Sequence, residues 1–305
     1  MCIKVLIKKI IKRLHYVFYI NRKKQIFRYL TYLSTSRYPK FLRLNSYPYT
    51  SGDTFRWYSD HLFDETSSFD PNKVRKKDLV FVKTDLVENF FLNYHKDITN
   101  QYYLITHNSD RNVNEELILF KDEKIIKWFA QNLEIPMIDG IYPIPIGLEN
   151  RRYLNNGMIS DFDVDTSKTN LIISSFNLST NKAARSIVHD LSKKNNLIEN
   201  LTFSNHIDYI KSLSTFKFNL CPSGNGLDTH RIWESLMVET IPVMLSNNFS
   251  NNFYNLGIPI LLIEKWEELN KLNKTDLDEL YNKIIKNGSL KQFVNFEYWK
   301  KYLRS

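Results

Sequence analysis

Cysteine is scarce in this chain of 305 residues, where only Cys2 and Cys221 occur. Two cysteines supply neither a disulfide framework nor a four-cysteine zinc site, and this usage is typical of a reducing compartment. Long apolar runs are missing too, because no uninterrupted stretch approaches the ~20 residues that a membrane-spanning helix requires. Lysines between positions 4 and 12 interrupt the apolar core that a signal peptide needs. We therefore expect a cytoplasmic protein.

Acidic residues are absent from residues 1–44, which contain twelve of the 42 lysines and arginines. The rest of the chain carries 30 basic and 33 acidic residues, so the net charge of +9 belongs to this first segment. Nucleic acid is therefore not an expected partner. Residues 1–33 have the pattern of basic amphipathic helices, which favours peripheral binding to the anionic inner face of the cytoplasmic membrane. The alternative is a helix packed on its own domain with a solvated basic face.

Glycine is also sparse, with eight residues, and two of them stand close together in FKFNLCPSGNGLDTHRIWESLMVETIPVML, residues 216–245. The pattern of this stretch predicts a strand at 216–221, a loop at 222–227, a helix at about 228–239 and a strand at 241–245. That order is typical of a βαβ unit in a parallel sheet. Ligands of such sheets bind at the carboxyl ends of the strands, where this loop lies.

The loop and the start of the helix have the residue types that bind a diphosphate. Glycine lets a ligand approach the backbone closely, and free N–H groups at a helix N-terminus favour an anion. Arg231 would grip phosphate oxygens, and it shares a helix face with Glu234. The candidate donor-site residues are Ser223, Gly224, Asn225, Gly226, Asp228, His230, Arg231 and Glu234. A tight turn followed by a surface ion pair between Arg231 and Glu234 is the alternative.

A second polar cluster follows a strongly apolar strand predicted at 102–106. Its members His107, Asn108, Ser109 and Asp110 suit hydrogen bonding to a sugar, and Asp110 or His107 would act as a general base. An Asx-rich turn is the alternative. Upstream, a helix is expected to begin after Gly52 or Asp53, with Asp53 as its N-cap. The further candidate binding residues in this half of the chain are Asp53, Arg56, Asn108, Glu149 and Asn150, which the resemblance described below assigns to the acceptor.

Two α/β units are predicted on either side of a polar stretch at 154–169. The three aspartates of that stretch fit a linker better than a metal site. Before it we expect a strand at 79–83, an amphipathic helix at 125–133 and, because of two prolines, an extended connection at 141–147. After it we expect a strand at 170–176, a helix at 182–194, loops around 247–252 and a terminal helix at about 296–303. Lys182 and Arg185, in the first turn of the helix at 182–194, are expected to be exposed by default, and phosphate binding is the alternative.

The stretch 216–245 resembles the C-terminal motif of exostosin-like glycosyltransferases and related bacterial polysaccharide glycosyltransferases. In that motif an aromatic-rich strand is followed by C/A-P-x-G-N-G-x-D-x-H-R, then W-E-A-L and I-P-V. Five further segments look like parts of the same bacterial relatives: SGDTFR (51–56), FVKTDL (81–86), LITHNSD (104–110), KWFAQN (127–132) and IPIGLEN (144–150). The resemblance covers residues 50–265, and it implies a GT-B architecture of two Rossmann-like domains facing a central cleft.

The resemblance also implies a division of labour between the domains. The nucleotide sugar would bind the C-terminal domain at 170–290, and the acceptor would bind the N-terminal domain at 45–153. Residues 1–44 would form the basic segment, 154–169 the linker, and 291–305 a helix that packs back on the first domain. In the C-terminal domain, the loop glycines and Asn225 would approach the diphosphate, Arg231 would neutralise the leaving group, and Glu234 would bind ribose or donor-sugar hydroxyls. Asp228 would cap the helix, and His230 would face the cleft.

The predicted activity is transfer of a hexosyl or pentosyl group from a nucleotide sugar to a glycan or lipid-linked glycan in synthesis of a cell-surface polysaccharide, such as capsule, O-antigen or lipopolysaccharide. No metal or other cofactor is expected, because an arginine and a helix N-terminus would supply the charge stabilisation. The predicted catalytic residues are Asp110, His107, Glu234 and Arg231. The alternative is a non-catalytic protein of the same fold that binds glycan or scaffolds a polysaccharide assembly complex.

Overall fold

The computed structural model describes residues 45–151, 159–286 and 288–303. The predicted basic segment at 1–44 lies outside these ranges, and so does its expected contact with a membrane surface. No helix within the described ranges is long and apolar enough to cross a membrane.

The first unit is an α/β layer built on a five-stranded parallel sheet in the order β1-β2-β3-β4-β5. Its strands are β1 (His61–Phe63), β2 (Leu79–Lys83), β3 (Tyr102–His107), β4 (Ile125–Ala130) and β5 (Ile141–Pro143). Its helices are α1 (Gly52–Tyr58), α2 (Val87–Asn93) and α3 (Glu115–Ile118). The central strand β3 is buried along its whole length, as expected for a parallel sheet that is covered on both faces.

The second unit contains another parallel sheet, in the order β10-β9-β8-β6-β7. Its strands are β6 (Asn170–Ser174), β7 (Ile198–Asn200), β8 (Phe216–Leu220), β9 (Ile241–Leu245) and β10 (Leu261–Ile263). Its helices are α4 (Lys182–Ser192), α5 (His206–Leu213), α6 (His230–Met237), α7 (Asn248–Asn255), α8 (Lys274–Ile285) and α9 (Phe296–Leu303). The predicted α/β class with two parallel-sheet units is confirmed.

The strand order of the second sheet reverses between β6 and β8. From β6 the chain adds β7 on one side and then returns to add β8 on the other. Such a reversal separates the loops that leave the two strands, and the crevice between them is where doubly wound sheets bind ligands. In the first sheet the strands follow one another in chain order, without a reversal. The crevice that a strand-order reversal forms therefore lies in the second unit.

The terminal helix α9 lies against both units. The ring of Phe296 packs on Phe55 of α1 with centroids 5.4 Å apart, and Trp299 packs on Trp233 of α6 at 6.0 Å. Just before this helix, the carbonyl of Val294 accepts a hydrogen bond from the backbone N of Thr50 at 2.8 Å. The C-terminal end of the described chain therefore helps to hold the units together.

Three sequence expectations were wrong. The segment predicted as a helix at 125–133 forms strand β4, between β3 and β5. The Asn-rich segment at 247–252 is not a loop but contains the capping box and first turns of α7. The N-cap of α1 is Ser51, whose side chain accepts from the backbone N of Thr54, while Asp53 lies inside the helix.

Candidate functional site

The loop between β8 and α6 lies beside the crevice at the strand-order reversal. It forms a tight turn in which the backbone N of Gly224 donates to the carbonyl of Gly226 at 3.1 Å. The following helix begins at His230, and its N-cap Thr229 makes no side-chain capping bond. The Thr229 hydroxyl is buried and has no hydrogen-bond partner among the described residues. The N-terminus of α6 is thus uncapped by protein side chains.

Two arginines lie on either side of this crevice. Arg231 in the first turn of α6 donates through Nε to the carbonyl of Ser175, just after β6, at 3.0 Å. Arg185 on α4 donates through Nε to the carbonyl of Ser223, just after β8, at 3.0 Å, and through Nη1 to Asn177 at 2.7 Å. Each guanidinium is therefore anchored to the loop that follows one of the two strands flanking the strand-order reversal.

The two guanidinium groups converge on the ring of Phe176. The Cζ atoms of Arg185 and Arg231 lie 5.7 and 5.9 Å from its centroid. Arg185 is only 4% exposed, contrary to the expected exposure. Burial, together with the neighbouring Arg231, lowers the pKa of Arg185 to about 10. Within the described ranges, neither arginine forms an ion pair with a carboxylate, so the crevice has an excess of positive charge.

An open pocket of about 780 Å³ lies next to Arg231 at the carboxyl ends of β6 and β7. Aromatic side chains from Phe176, Phe203 and Tyr209 contribute to its wall, together with polar residues of the loop at 202–205. A pocket that combines apolar rings with polar groups and an arginine has the composition of a small-molecule site.

Glu234 lies one turn after Arg231 and is 7% exposed. Its Oε1 is 3.0 Å from Nε2 of His206, whose Nδ1 is 3.4 Å from Oδ2 of Asp161. Burial alone would raise the pKa of Glu234, but the hydrogen bond and charge of His206 hold it below its ordinary value. Glu234 therefore pairs with His206 and forms no direct ion pair with Arg231.

Asp228 and His230 bond to the first unit. The carboxylate of Asp228 is buried and accepts from the backbone N of Ile146 at 2.6 Å and from Nε1 of Trp233 at 2.8 Å. Asp228 was expected to cap α6, but Thr229 occupies that position. His230 was expected to face the cleft, and its Nδ1 lies 2.7 Å from the carbonyl of Gly147 in the first unit. Both contacts cross between the units.

Asn132 connects the strand-end turns of the two sheets. Its Oδ1 accepts from the backbone N of Asp228 at 2.7 Å, and its Nδ2 donates to the carbonyl of Ser109 at 3.2 Å. Gly226 packs against the same amide, because a Cβ atom there would lie 2.7 Å from Nδ2 of Asn132. The glycine at 226 is therefore required by this contact between the units. Asn225 is exposed at the tip of the loop, and Ser223 is half-buried.

The arrangement around His107 does not fit a catalytic base. The imidazole is fully buried, with Nε2 at 3.0 Å from the carbonyl of Pro145 and Nδ1 at 2.6 Å from the backbone N of Asn108. Burial lowers its pKa to about 4, so the ring is neutral at pH 7. Since both nitrogens are engaged within the protein, we interpret His107 as a brace between β3 and the segment after β5.

Three of the predicted acceptor-side residues come together in one network. Asn150 accepts from the backbone N of Asp53 at 2.7 Å and donates to Oδ1 of Asn108 at 2.9 Å, while Asn108 donates to Asp53 at 3.3 Å. Arg56 lies apart from them, because its Nε donates to Asp64 at 2.6 Å in a buried ion pair. Glu149 is half-buried beside Asn150 in sequence.

Asp110 is the exposed member of the turn after β3. Its carboxylate makes no hydrogen bond to a described residue, and the side chain is thus accessible for contact with another molecule. In the described part of the chain, no group of three His, Cys, Asp or Glu side chains has the geometry of a metal site.

Sequence reasoning missed Asn132, and for Arg185 it favoured exposure over phosphate binding. Arg185, Val188 and Ser192 stand at positions i, i+3 and i+7, and they share the buried face of α4. This helical spacing was the sequence signal for the burial of Arg185. Asn132 has a φ of +54°, a left-handed conformation that asparagine tolerates better than most residues. It was assigned to the end of a helix, which concealed its position at the end of a strand.

Comparison with known proteins gave structural similarity only. No family model matches the chain, and no curated protein sequence does. Among solved structures, a UDP-forming α,α-trehalose-phosphate synthase from Burkholderia vietnamiensis is 9% identical with a TM-score of 0.41, over 76% of this chain and 75% of that one. S. aureus TarM, solved as a variant with Fondaparinux, α-GlcNAc-glycerol and UDP, is 13% identical with a TM-score of 0.42, over 74% and 55%. An α1,3-fucosyltransferase solved with GDP-fucose is 13% identical with a TM-score of 0.38, over 78% and 80%.

Proposed function

We propose that this protein is a glycosyltransferase that takes its sugar from a nucleotide-sugar donor. The observation that carries the proposal is the pair of arginines, Arg185 and Arg231, which are anchored on the two sides of the strand-order reversal. Neither guanidinium is ion-paired with a carboxylate of the described residues. Like charges held this close favour occupation by an anion. The uncapped N-terminus of α6 adds backbone N–H groups at the same place, as a diphosphate site requires.

The size and composition of the adjacent pocket support a nucleotide rather than a free phosphate. Its volume of about 780 Å³ accommodates a nucleoside, and the rings of Phe176, Phe203 and Tyr209 offer apolar surface to a base. Arg231 lines this pocket and is also the cation nearest the start of α6. The donor would therefore extend from the aromatic pocket to the uncapped helix, with its diphosphate between the arginines.

In such an enzyme the arginines act mainly on the leaving group. As the bond between sugar and diphosphate breaks, negative charge grows on the departing oxygen, and cations fixed beside it stabilise that charge. Arg185 is held by two carbonyls and needs little reorganisation during the reaction. Glu234 would bind donor hydroxyls, and Asp110 would take the proton from the attacking hydroxyl of the acceptor.

The acceptor side of the proposal rests on the turn after β3 and the network next to it. Asp110 is exposed, and the amide network of Asp53, Asn108 and Asn150 fixes the turn that carries it. Asn132 holds this turn close to the donor loop. We propose a glycan or lipid-linked glycan as acceptor, in synthesis of a cell-surface polysaccharide, by a metal-independent reaction. We further propose that residues 1–33 attach the enzyme to the anionic inner face of the membrane.

A thermal-shift screen with UDP, GDP, ADP, dTDP and CMP tests the proposal. A nucleotide present at about 100 times its Kd should stabilise the protein by roughly 2.7 kcal/mol. Arg231→Ala should abolish the shift. The matched control is Arg75→Ala, because Arg75 is exposed in the loop before β2, at the amino end of a strand of the first sheet. If no nucleotide shifts the wild type, the non-catalytic scaffold becomes the better explanation of the fold.

A further inference from the structure

Asp161, His206 and Glu234 form a buried chain of hydrogen bonds that the proposed reaction does not itself require. The imidazole of His206, at the start of α5, lies between a carboxylate on α6 and a carboxylate in the turn Ile159–Phe162. The side chains of His206, Glu234 and Asp161 are 8%, 9% and 12% exposed. The turn that carries Asp161 belongs to the polar segment between the two sheets, so the chain of bonds joins this segment to the donor site.

The geometry points to His206 as a positioning residue that, in its doubly protonated form, holds the Glu234 carboxylate in place for the donor. This inference rests on the proposed function, because it assigns Glu234 to the nucleotide-sugar site. An imidazolium carries two N–H donors on opposite edges, and it alone can donate to both carboxylates at once. A neutral imidazole has one donor, so one of the two carboxylates then faces a lone pair.

The surroundings of His206 favour its charged form. Burial alone would lower the pKa of His206, but the hydrogen bonds and charges of Glu234 and Asp161 raise it above the ordinary value. The other titratable group against the ring is Tyr209, on the same helix, with centroids 5.9 Å apart. Phe162 covers a further side of the ring at 5.9 Å. Around Glu234 the remaining charged or titratable groups are His230, Arg231, Tyr209 and Cys221.

The sign of the pH effect follows from that arrangement. A histidine whose pKa is raised in the folded protein contributes its stabilisation below its ordinary pKa and loses it as the pH rises through the raised value. Glu234 is then held firmly below the ordinary histidine pKa of about 6.5 and released as the pH rises through the raised value. Affinity for the nucleotide should fall in the same direction. This fall occurs where the terminal phosphate, with a second pKa of about 6, is already ionised.

The test is the affinity for a nucleoside diphosphate as a function of pH. The probe is whichever of UDP, GDP, ADP and dTDP stabilises the wild type most, titrated by calorimetry from pH 6.5, the ordinary histidine pKa, upward to pH 9. Across this range the wild-type Kd should increase by about tenfold or more, because binding loses the free energy of one charge-assisted hydrogen bond. His206→Gln should give a flat profile with a raised donor KM. Asp161→Asn should move the midpoint to lower pH, because one of the two carboxylates that raise the pKa of His206 is gone.

A second histidine–carboxylate pair provides the control. His61 lies 2.7 Å from Asp78 at the edge of the first sheet, and His61→Gln should keep the wild-type profile. A merely structural role for His206 would lower the melting temperature of the variants without changing the pH midpoint in Asp161→Asn. A flat wild-type profile, or an unchanged midpoint in Asp161→Asn, overturns the inference while nucleotide binding stands. Absence of binding to the wild type at every pH overturns the proposed function as well.

Discussion

Asn132 accepts a hydrogen bond from the backbone N of Asp228 at 2.7 Å, and this contact joins the end of strand β4 in one sheet to the donor loop of the other. The same amide donates to the carbonyl of Ser109, in the turn that presents Asp110. One side chain therefore sets the distance between the proposed donor and acceptor sites. A buried amide with both functions engaged is costly to disturb, because each lost partner leaves a desolvated polar group.

Gly226→Ala should disrupt this contact. The new Cβ would lie 2.7 Å from Nδ2 and 3.2 Å from Cγ of Asn132, so the amide must move and lose its hydrogen bonds. We expect a destabilisation of about 1–3 kcal/mol, measured by urea unfolding. Asn132→Gly removes the obstructing amide and also tolerates the left-handed φ at that position.

The double variant gives the decisive comparison. If the clash is the cause, Gly226→Ala should cost less in the Asn132→Gly background than in the wild type, with an interaction energy of about 0.5–3 kcal/mol. Strictly additive costs in the two single variants would show that Gly226 is needed for some other reason.

The buried carboxylate of Asp228 should make stability depend on pH. Burial raises its pKa to about 7, although the bonds from Ile146 and Trp233 act in the opposite direction. The folded protein then binds a proton that the unfolded chain has released, so the free energy of unfolding falls as the pH rises from about 4 to 7. The slope from this one group is at most about 1.4 kcal/mol per pH unit.

Asp228→Asn separates this contribution from that of His107. Because burial lowers the pKa of His107, that residue makes the free energy of unfolding rise with pH below about pH 6.5. In this variant the side-chain NH2 group faces one of the N–H groups that donate to the carboxylate of Asp228. This repulsion should lower the free energy of unfolding at acidic pH. Relative to the wild type, however, the variant should gain stability steadily between pH 4 and 7 in urea unfolding. A constant difference across that range would mean that Asp228 is ionised throughout in the folded protein.

The sequence predicted the structure best in segments whose residues favour a single type of element, whether strand, loop or helix. The strand, loop, helix and strand of 216–245 were predicted within two residues at most boundaries, because the strands are apolar and glycines mark the loop. The bounds of β2 and α9 also agreed with the expectation. In each of these segments, local preference and tertiary burial favour the same conformation.

The failures came from segments where local pattern and tertiary context disagree. Ile125, Trp128 and Phe129 have the i, i+3, i+4 spacing of a helix, yet the strand is covered on both faces and needs no alternation. Its short length and β-branched or aromatic residues were the signals for a strand. In α7, asparagine is a weak helix former, and the helix depends on its capping box and on burial of Phe249 and Phe253.

The candidate site was only partly readable for the same reason. The loop glycines and Arg231 were found from their spacing, since the helix start fixes where they lie. The partners of Asp228, His230 and Glu234 were not, because Ile146, Gly147 and His206 are between 28 and 83 residues away in the sequence. The sequence alone therefore does not distinguish a carboxylate that binds a ligand from one that bonds to the other unit.

Asp110→Asn should separate chemistry from donor binding. An amide keeps the shape of the side chain but takes no proton, so kcat for sugar transfer should fall by about 10²–10⁴-fold. The donor KM and the nucleotide Kd should stay unchanged, because Asp110 lies on the first unit. Asp139→Asn is the control, since Asp139 is also exposed and lies in the turn before β5. Full transfer by Asp110→Asn would assign the base to another group.

The most direct test of the account compares a nucleoside with its diphosphate on the same protein. Calorimetric titrations would use wild type, Arg231→Met and Arg185→Met, with the base that the thermal-shift screen identifies. In the wild type the diphosphate should bind at least tenfold more tightly than the nucleoside, because charge-assisted bonds from two arginines are added. In the variants this advantage should shrink while nucleoside affinity is kept. Equal affinity of the wild type for nucleoside and diphosphate would contradict the assignment of the crevice to a diphosphate.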